Sequence, residues 1–296
     1  MTLAETVLYQ LARRWPSPME RVTRKLGAEP GTYEYNMAYA RNQFNTKVRS
    51  GLMVEVWDKE VLEIGCGHGG ITAFIAVAGA KRAVGIDLNE THLAIAREFA
   101  AALAERYGRP LPVEYAIENA TASRFAEASF DVVMADNVFE HFTEPEAVLR
   151  EAFRVLRPGG VLVVPVFSSI LSKYGLHLKH GLKMPWANIV FSEKTILRVL
   201  ARLAEDDPKL HTIYPGLAGS PQAVRDVRRY RDLNDITYAK FQQMAVRVGF
   251  TVTQFSPHAY LPGRIARKLP GLKNSVLVDV CSTGATALLT KPRNAS

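Results

Sequence analysis

Cysteine is nearly absent: Cys66 and Cys281 are the two in 296 residues, with neither a disulfide framework nor a zinc-type spacing. That scarcity suits a reducing compartment. No apolar stretch reaches the roughly 20 residues that a membrane span needs. The opening MTLAETVLYQLARRW lacks the basic start and clean apolar run of a secretory leader. A soluble, cytoplasmic protein is therefore the expectation. Internal repeats and low-complexity segments are missing too. So are dense single-sign charge runs. Lys+Arg of 37 against Asp+Glu of 29 gives +8 and a pI near 9.5. The excess is spread over Arg13-Arg14, the stretch from Arg21 to Lys25, and the stretch from Arg225 to Arg231. Such a balance favours anionic partners, or simply keeps the protein in solution. No run is dense enough to name a nucleic-acid tract.

What is there is the makings of a packed core, with 48% hydrophobic and 22% charged residues. Residues 1–56 read as helices and turns, broken by WPSP at 15–18 and EPG at 29–31. From Glu60 short β-rich runs alternate with helical patterns, which implies a parallel sheet covered on its faces. The runs are EVLEIG (60–65), RAVGID (82–87), PVEYAI (112–117), FDVVMA (130–135) and GVLVVPV (160–166). Among the helices, one has Asn89 as N-cap and Gly108 as its stop. Another starts at Thr143, with acids in its first turn, and ends at Pro158-Gly159-Gly160. After Val166 the rhythm stops until about Thr237. This stretch, with a charged helix expected from Ser220 to Leu233, reads as a lid over a site. The core then resumes with a helix ending at Gly249, the strand FTVTQFS and the last strand ATALLTKP.

VLEIGCGHGG sets Gly65, Gly67, Gly69 and Gly70 between a buried strand and a helix. Glycines there let the backbone turn sharply and approach a ligand, with unpaired helix N–H groups behind them. Asp87 ends the next strand, where it suits a ribose diol. The glycines alone also satisfy a dinucleotide fingerprint. Glu63 tilts the choice, because an acid two residues before the first glycine suits a cationic amino group and sits poorly beside a pyrophosphate. Asp136-Asn137 end the fourth strand, and LRPGG leads into an apolar fifth.

From about Glu60 to Val166 this resembles the class I S-adenosylmethionine-dependent methyltransferases. The resemblance implies a Rossmann-like, doubly wound, mostly parallel seven-stranded sheet with a helical N-terminal cap (1–56) and a cofactor core (57–166). It also implies an inserted lid (167–233) and a C-terminal completion of the core (234–296). It implies that Glu63, Gly65, Cys66 and Gly67 hold the methionine part of the cofactor, and that Asp87 takes the ribose with Leu88 beside the adenine. Asn119 and Ala120 would meet the adenine amine, where the family often has Asp. Asp136 and Asn137 would face the methyl donor. YGLHLKHGLKMPW and LNDITYAKFQQMAVRVGF further resemble bacterial methyltransferases of small or lipid-like substrates.

The acceptor side is left more open. An oxygen nucleophile needs its proton removed, and His141 or His177 has suitable chemistry; His180 is a further choice. Each could equally be a histidine that packs or faces solvent. The run from Asn137 to His141 is similar to a metal-binding E-x-x-E-H run of some relatives, but Asn137 replaces the first acid, and no metal is expected. Cys66 reads as a small filler beside the cofactor. The segment around Leu8, Leu11 and Trp15 is expected to pack over the cofactor as a cap, though Arg13 and Arg14 would also suit a membrane surface. The expectation is methyl transfer to a small or medium-sized organic acceptor, most simply at oxygen, with an anionic or membrane-associated substrate as an alternative. RNA is disfavoured, because the turn after strand four carries no prolines. A cofactor-binding protein without turnover and a nicotinamide enzyme are the remaining rivals.

Overall fold

The computed structural model describes residues 1–15, 27, 34, 37–42, 45, 55–178, 181–207, 210, 233–269, 271–272 and 275–293. The breaks expected at 16–18 and 29–31, His180, and the charged helix from Ser220 (except Leu233) lie outside them.

Helix α1 (Leu3–Arg14) opens with a capping box between Thr2 and Glu5. The first half of the sheet then follows as β1 (Glu60–Ile64), α2 (Gly70–Val77), β2 (Arg82–Asp87), α3 (Glu90–Tyr107) and β3 (Val113–Ile117). Alternation along β1 sorts its residues between the two faces. Val61 joins Ile75 and Ala76 of α2 on one side. Leu62 and Ile64 join the larger core on the other. Asn89 accepts bonds from the backbone N–H groups of Thr91 and His92, and Gly108 closes α3 in a left-handed conformation. Both are the cap and stop that the sequence marks.

The second half comprises β4 (Phe130–Met134), a 3₁₀ turn (Phe139–His141), α4 (Pro145–Val155) and β5 (Leu156–Phe167). The segment after β5, expected as a lid, contributes α5 (Ala187–Val190) and α6 (Glu193–Asp206). The chain returns through α7 (Tyr238–Val248), β6 (Thr251–Ala259), α8 (Leu261–Lys268), α9 (Val276–Val280) and β7 (Ser282–Thr290). The strands lie in the order β3-β2-β1-β4-β5-β7-β6. β7 runs antiparallel to both of its neighbours, and the other described pairings are parallel. The mostly parallel seven-stranded sheet is thus observed, with the C-terminal ends of β1 to β6 along one edge. No helix among the described residues is long and apolar enough to cross a membrane.

Three expectations change. α4 begins at Pro145 rather than Thr143, with proline at its first turn in place of a side-chain cap. It ends at Val155 rather than at the glycines, because Leu156 already pairs with Phe130 in the sheet. Lys291 closes the helix instead, its Nζ donating to the carbonyls of Phe153 and Leu156 at 2.8 Å each. Second, α1, expected to cap the cofactor, instead packs on α6, burying Leu8 and Ala12 with Leu197, Val199 and Leu200, and none of its residues lines the cleft beside the glycine loop. Arg198 pairs with Glu5 at 2.9 Å. The apolar side of α6, with Ile196, Leu197, Val199, Leu200 and Leu203 buried, supplies the partner for the apolar side of α1. Third, the connection from β6 to β7, for which the sequence suggested no element, holds α8 and α9.

Candidate active site

The glycine loop turns at the C-terminal edge because three of its conformations suit glycine. Gly65, Gly67 and Gly69 have φ of +68°, +51° and +67°, a region that an L side chain adopts only under strain. Space differs among them. A Cβ on Gly65 would meet Val138 Cγ2 at 2.6 Å, and one on Gly69 would collide with Ala96 and Tyr115, whereas a Cβ on Gly67 meets nothing within 4 Å. Gly67 therefore faces open space, where its bare backbone is a wall of the cleft. Ala40, from the N-terminal segment, packs against Gly70 at the start of α2.

Asp87 locks this loop to the next strand. One carboxylate oxygen accepts from Gly67 N at 3.0 Å and the other from Asn89 N at 2.9 Å. The cleft beyond is about 770 Å³, with Gly65, Gly67, Asp87, Leu88, Asn119 and Ala120 on one side and Val138, His141, Phe142 and Val148 on the other. Leu88 is 73% exposed, an apolar side chain left at the rim, as a flat ring would require. Asn119 has given its side-chain oxygen to Thr121, accepting from both N and Oγ1 at 2.9 Å. The group it retains for a ligand is its NH₂, not the acceptor that the sequence suggested.

Glu63 and Cys66 stand behind the loop. Glu63 is buried on the α2 side of the sheet, where the Thr72 hydroxyl donates to it. Burial pushes the Cys66 thiol far up, and the carboxylates of Glu63 and Asp87 add to the shift, so it remains a protonated, inert filler. Asp136 and Asn137 lie at the end of β4, next to the cleft wall rather than among its lining residues. Asn137 takes φ +54° there, and its N–H donates to Val166 O at 2.7 Å.

The opposite wall brings together residues distant in sequence. His177 Nε2 is 3.5 Å from a Glu140 carboxylate oxygen. The His141 and His177 rings lie 5.2 Å apart. Glu140 in turn accepts from Ser168 N at 3.1 Å. The ligand atoms of Glu140, His141 and His177 all lie within 4.8 Å of one another, a carboxylate and two imidazoles that could hold a small divalent ion. Asn234, just before α7, staples this turn. Its Nδ2 donates to the carbonyls of Phe139 and Phe142 at 2.8 Å each, and its N–H donates to Glu140 O at 2.8 Å.

Several contributors were missed from sequence. Tyr115 donates its hydroxyl to Gly69 O at 2.7 Å, and burial with Glu63 nearby pushes its pKa up, so it stays a donor. Glu118, buried and paired with Arg124 at 2.6 Å, lines the cleft beside Asn119. His92 lines it beside Asp87, its ring 4.8 Å from that of His68. The inward alternation of β3 pointed to Tyr115; nothing local pointed to Asn234.

Residues 62–164 match the family model described as a methyltransferase domain. Among curated relatives, the ubiquinone biosynthesis O-methyltransferase of Pseudomonas fluorescens is 36% identical over 36% of this chain and 44% of its own. That of Rhizobium rhizogenes is 28% identical over 68% of this chain and 72% of its own. Phosphoethanolamine N-methyltransferase 1 of Triticum aestivum is 31% identical over 36% of this chain but 20% of its own. The chain thus spans under half the length of two of these relatives. A methyltransferase structure from Mesorhizobium loti superposes with a TM-score of 0.53 at 14% identity, over 85% of this chain and 99% of that one. The [4+2]-cyclase SpnF superposes at 0.51 and 18% identity, over 90% and 84%. These likenesses show the fold alone.

Proposed function

We propose, for a chain whose residues 62–164 match a methyltransferase domain, that the whole protein is a class I S-adenosylmethionine-dependent methyltransferase that transfers the cofactor's methyl group to an oxygen of a small or medium-sized organic acceptor. The observation that carries this reading is the shared cleft: the cofactor-type wall around Gly67 and Asp87 faces His141, with His177 and Glu140 behind it.

The residues present fit the cofactor. Gly67 leaves the approach open where any Cβ would fill it, Asp87 offers a carboxylate edge, and Leu88 covers a flat ring. When bound, the cofactor supplies an electrophilic methyl on a positively charged sulfur. The chain's own work is then positional. His141 takes the proton of the acceptor hydroxyl as its oxygen becomes nucleophilic, and Glu140 orients His177 beside it. Phe142 and Val148 give the acceptor an apolar bed.

The names of two relatives specify O-methylation, and the wheat relative's specifies N-methylation. An imidazole pair at the far wall favours oxygen, because a hydroxyl must lose its proton and a neutral amine need not. The test is methyl-labelled cofactor with a panel of phenolic, carboxylic and amine acceptors. Label on oxygen is expected; label confined to amine nitrogen would overturn the reading.

A further inference from the structure

We propose that α8 and α9 form a docking surface for an anionic bilayer and hold the mouth of the cleft against it, so that the acceptor is an amphiphile drawn from the lipid phase.

α8 is amphipathic in the inverted sense. Its small residues, Gly263 and Ala266, face the body of the protein, and a Cβ on Gly263 would press on Ala259 and Cys281 at 2.9 Å. Its large apolar residues face water. Leu261 is 69% and Ile265 54% exposed, and they lie one turn apart on the same side. Leu269, Leu272, Val276 and Leu277 are exposed as well, the last two on α9, which packs against α8. Six large apolar side chains left exposed within 17 residues mark a partner.

Charge chooses the partner. From Tyr260 to Val278 the sequence holds Arg264, Arg267, Lys268 and Lys273 and no acidic residue. Large apolar side chains interleaved with cations and free of acids suit the headgroup boundary of a membrane carrying negative lipids. A protein interface buried at its centre would deplete lysine instead.

Position gives the surface its use. β6 runs parallel to β5, so α8 leaves the sheet along the edge that carries the glycine loop. The lid is tied to the same place: Trp186 donates its ring N–H to Val280 O at 2.7 Å, and Lys173 Nζ lies 5.2 Å from the Tyr260 ring centroid. A hollow of about 630 Å³, lined in part by His258, Tyr260 and Arg264, opens at the base of α8. The delivery of an acceptor rests on the methyl-transfer reading; the docking itself does not.

The full chain is sedimented with vesicles of phosphatidylcholine alone and of phosphatidylcholine with phosphatidylglycerol. Binding is expected to the second, to fall with added salt, and to weaken roughly fivefold for each cation removed in Arg264→Gln and Lys268→Gln. Leu261→Glu with Ile265→Glu should abolish it, while the heat of binding S-adenosylhomocysteine stays that of the parent. Wild-type protein that ignores both vesicles overturns the proposal, as does a solution dimer dispersed by Ile265→Glu, which would make a second copy the occupant. Vesicle binding with no heat from S-adenosylhomocysteine would sink the cofactor reading and leave the docking surface standing.

Discussion

The two walls of the cleft are built by different means. The centre of the cofactor-type wall is the glycine loop and Asp87, set by β1, a turn, α2 and β2 that follow one another within 28 residues, from Glu60 to Asp87, with Leu88, Asn119 and Ala120 completing it. The proposed acceptor wall is side chain, assembled from a 3₁₀ turn, His177 in the segment after β5, and Asn234 before α7. One wall has little freedom to vary without losing the fold; the other can be altered while the fold stands. Substitutions should therefore separate binding of cofactor from turnover of acceptor.

The largest separation is expected at His141. His141→Ala should lower turnover by about 10² to 10⁴-fold and leave the affinity for S-adenosylhomocysteine unchanged, as calorimetry would report. A parallel loss of both would mean that the walls are not independent. The same assay sharpens the role of the Glu140–His141–His177 cluster: with histidine as base, a chelator leaves turnover intact, and a loss restored by Zn²⁺ would favour an ion there.

Glycine substitutions test the first wall. Gly69→Ala forces a left-handed alanine into Ala96 and Tyr115 and should cost about 3 kcal/mol in denaturant unfolding. Gly67→Ala faces open space and should cost only the backbone strain, about 1–2 kcal/mol, yet weaken cofactor binding by filling the approach. Equal stability losses would break the distinction.

Asn234→Ala removes the staple on the 3₁₀ turn and leaves the carbonyls of Phe139 and Phe142 without its amide. Stability should fall by about 1–3 kcal/mol, with KM for the acceptor rising and cofactor affinity held. A smaller effect belongs to Glu151, away from both walls. Burial pushes its carboxyl up, but bonds from Arg154 and Ser123 outweigh that and hold it below the usual range. Its contribution is present above the unfolded pKa of about 4.3 and is lost as pH falls through the folded value. Glu151→Gln should thus be less stable by about 1 kcal/mol at neutral pH, a gap that closes in acid.

The same contrast decides what the sequence revealed. β1, the glycine loop, Asp87 and the Asn89 cap were legible because each depends on neighbours a few residues away. The end of α4 was misread because a sheet pairing and Lys291, over 130 residues distant, override the local glycine signal. To meet the adenine amine Asn119 would need its side-chain oxygen, but a local turn to Thr121 uses that atom first. His141 and His177 were named separately; their convergence, and Asn234 beneath them, depend on the path of the lid. α8 escaped notice because it buries its small residues and exposes its large ones, the reverse of the usual pattern.

The most direct test of the central claim is titration calorimetry of S-adenosylhomocysteine into the wild-type protein and into Asp87→Ala. Clear binding heat is expected in the first and an affinity lower by about 100-fold in the second, as charged hydrogen bonds to the ligand and to Gly67 are lost together. No heat with wild-type protein, or the same affinity in both, would contradict it.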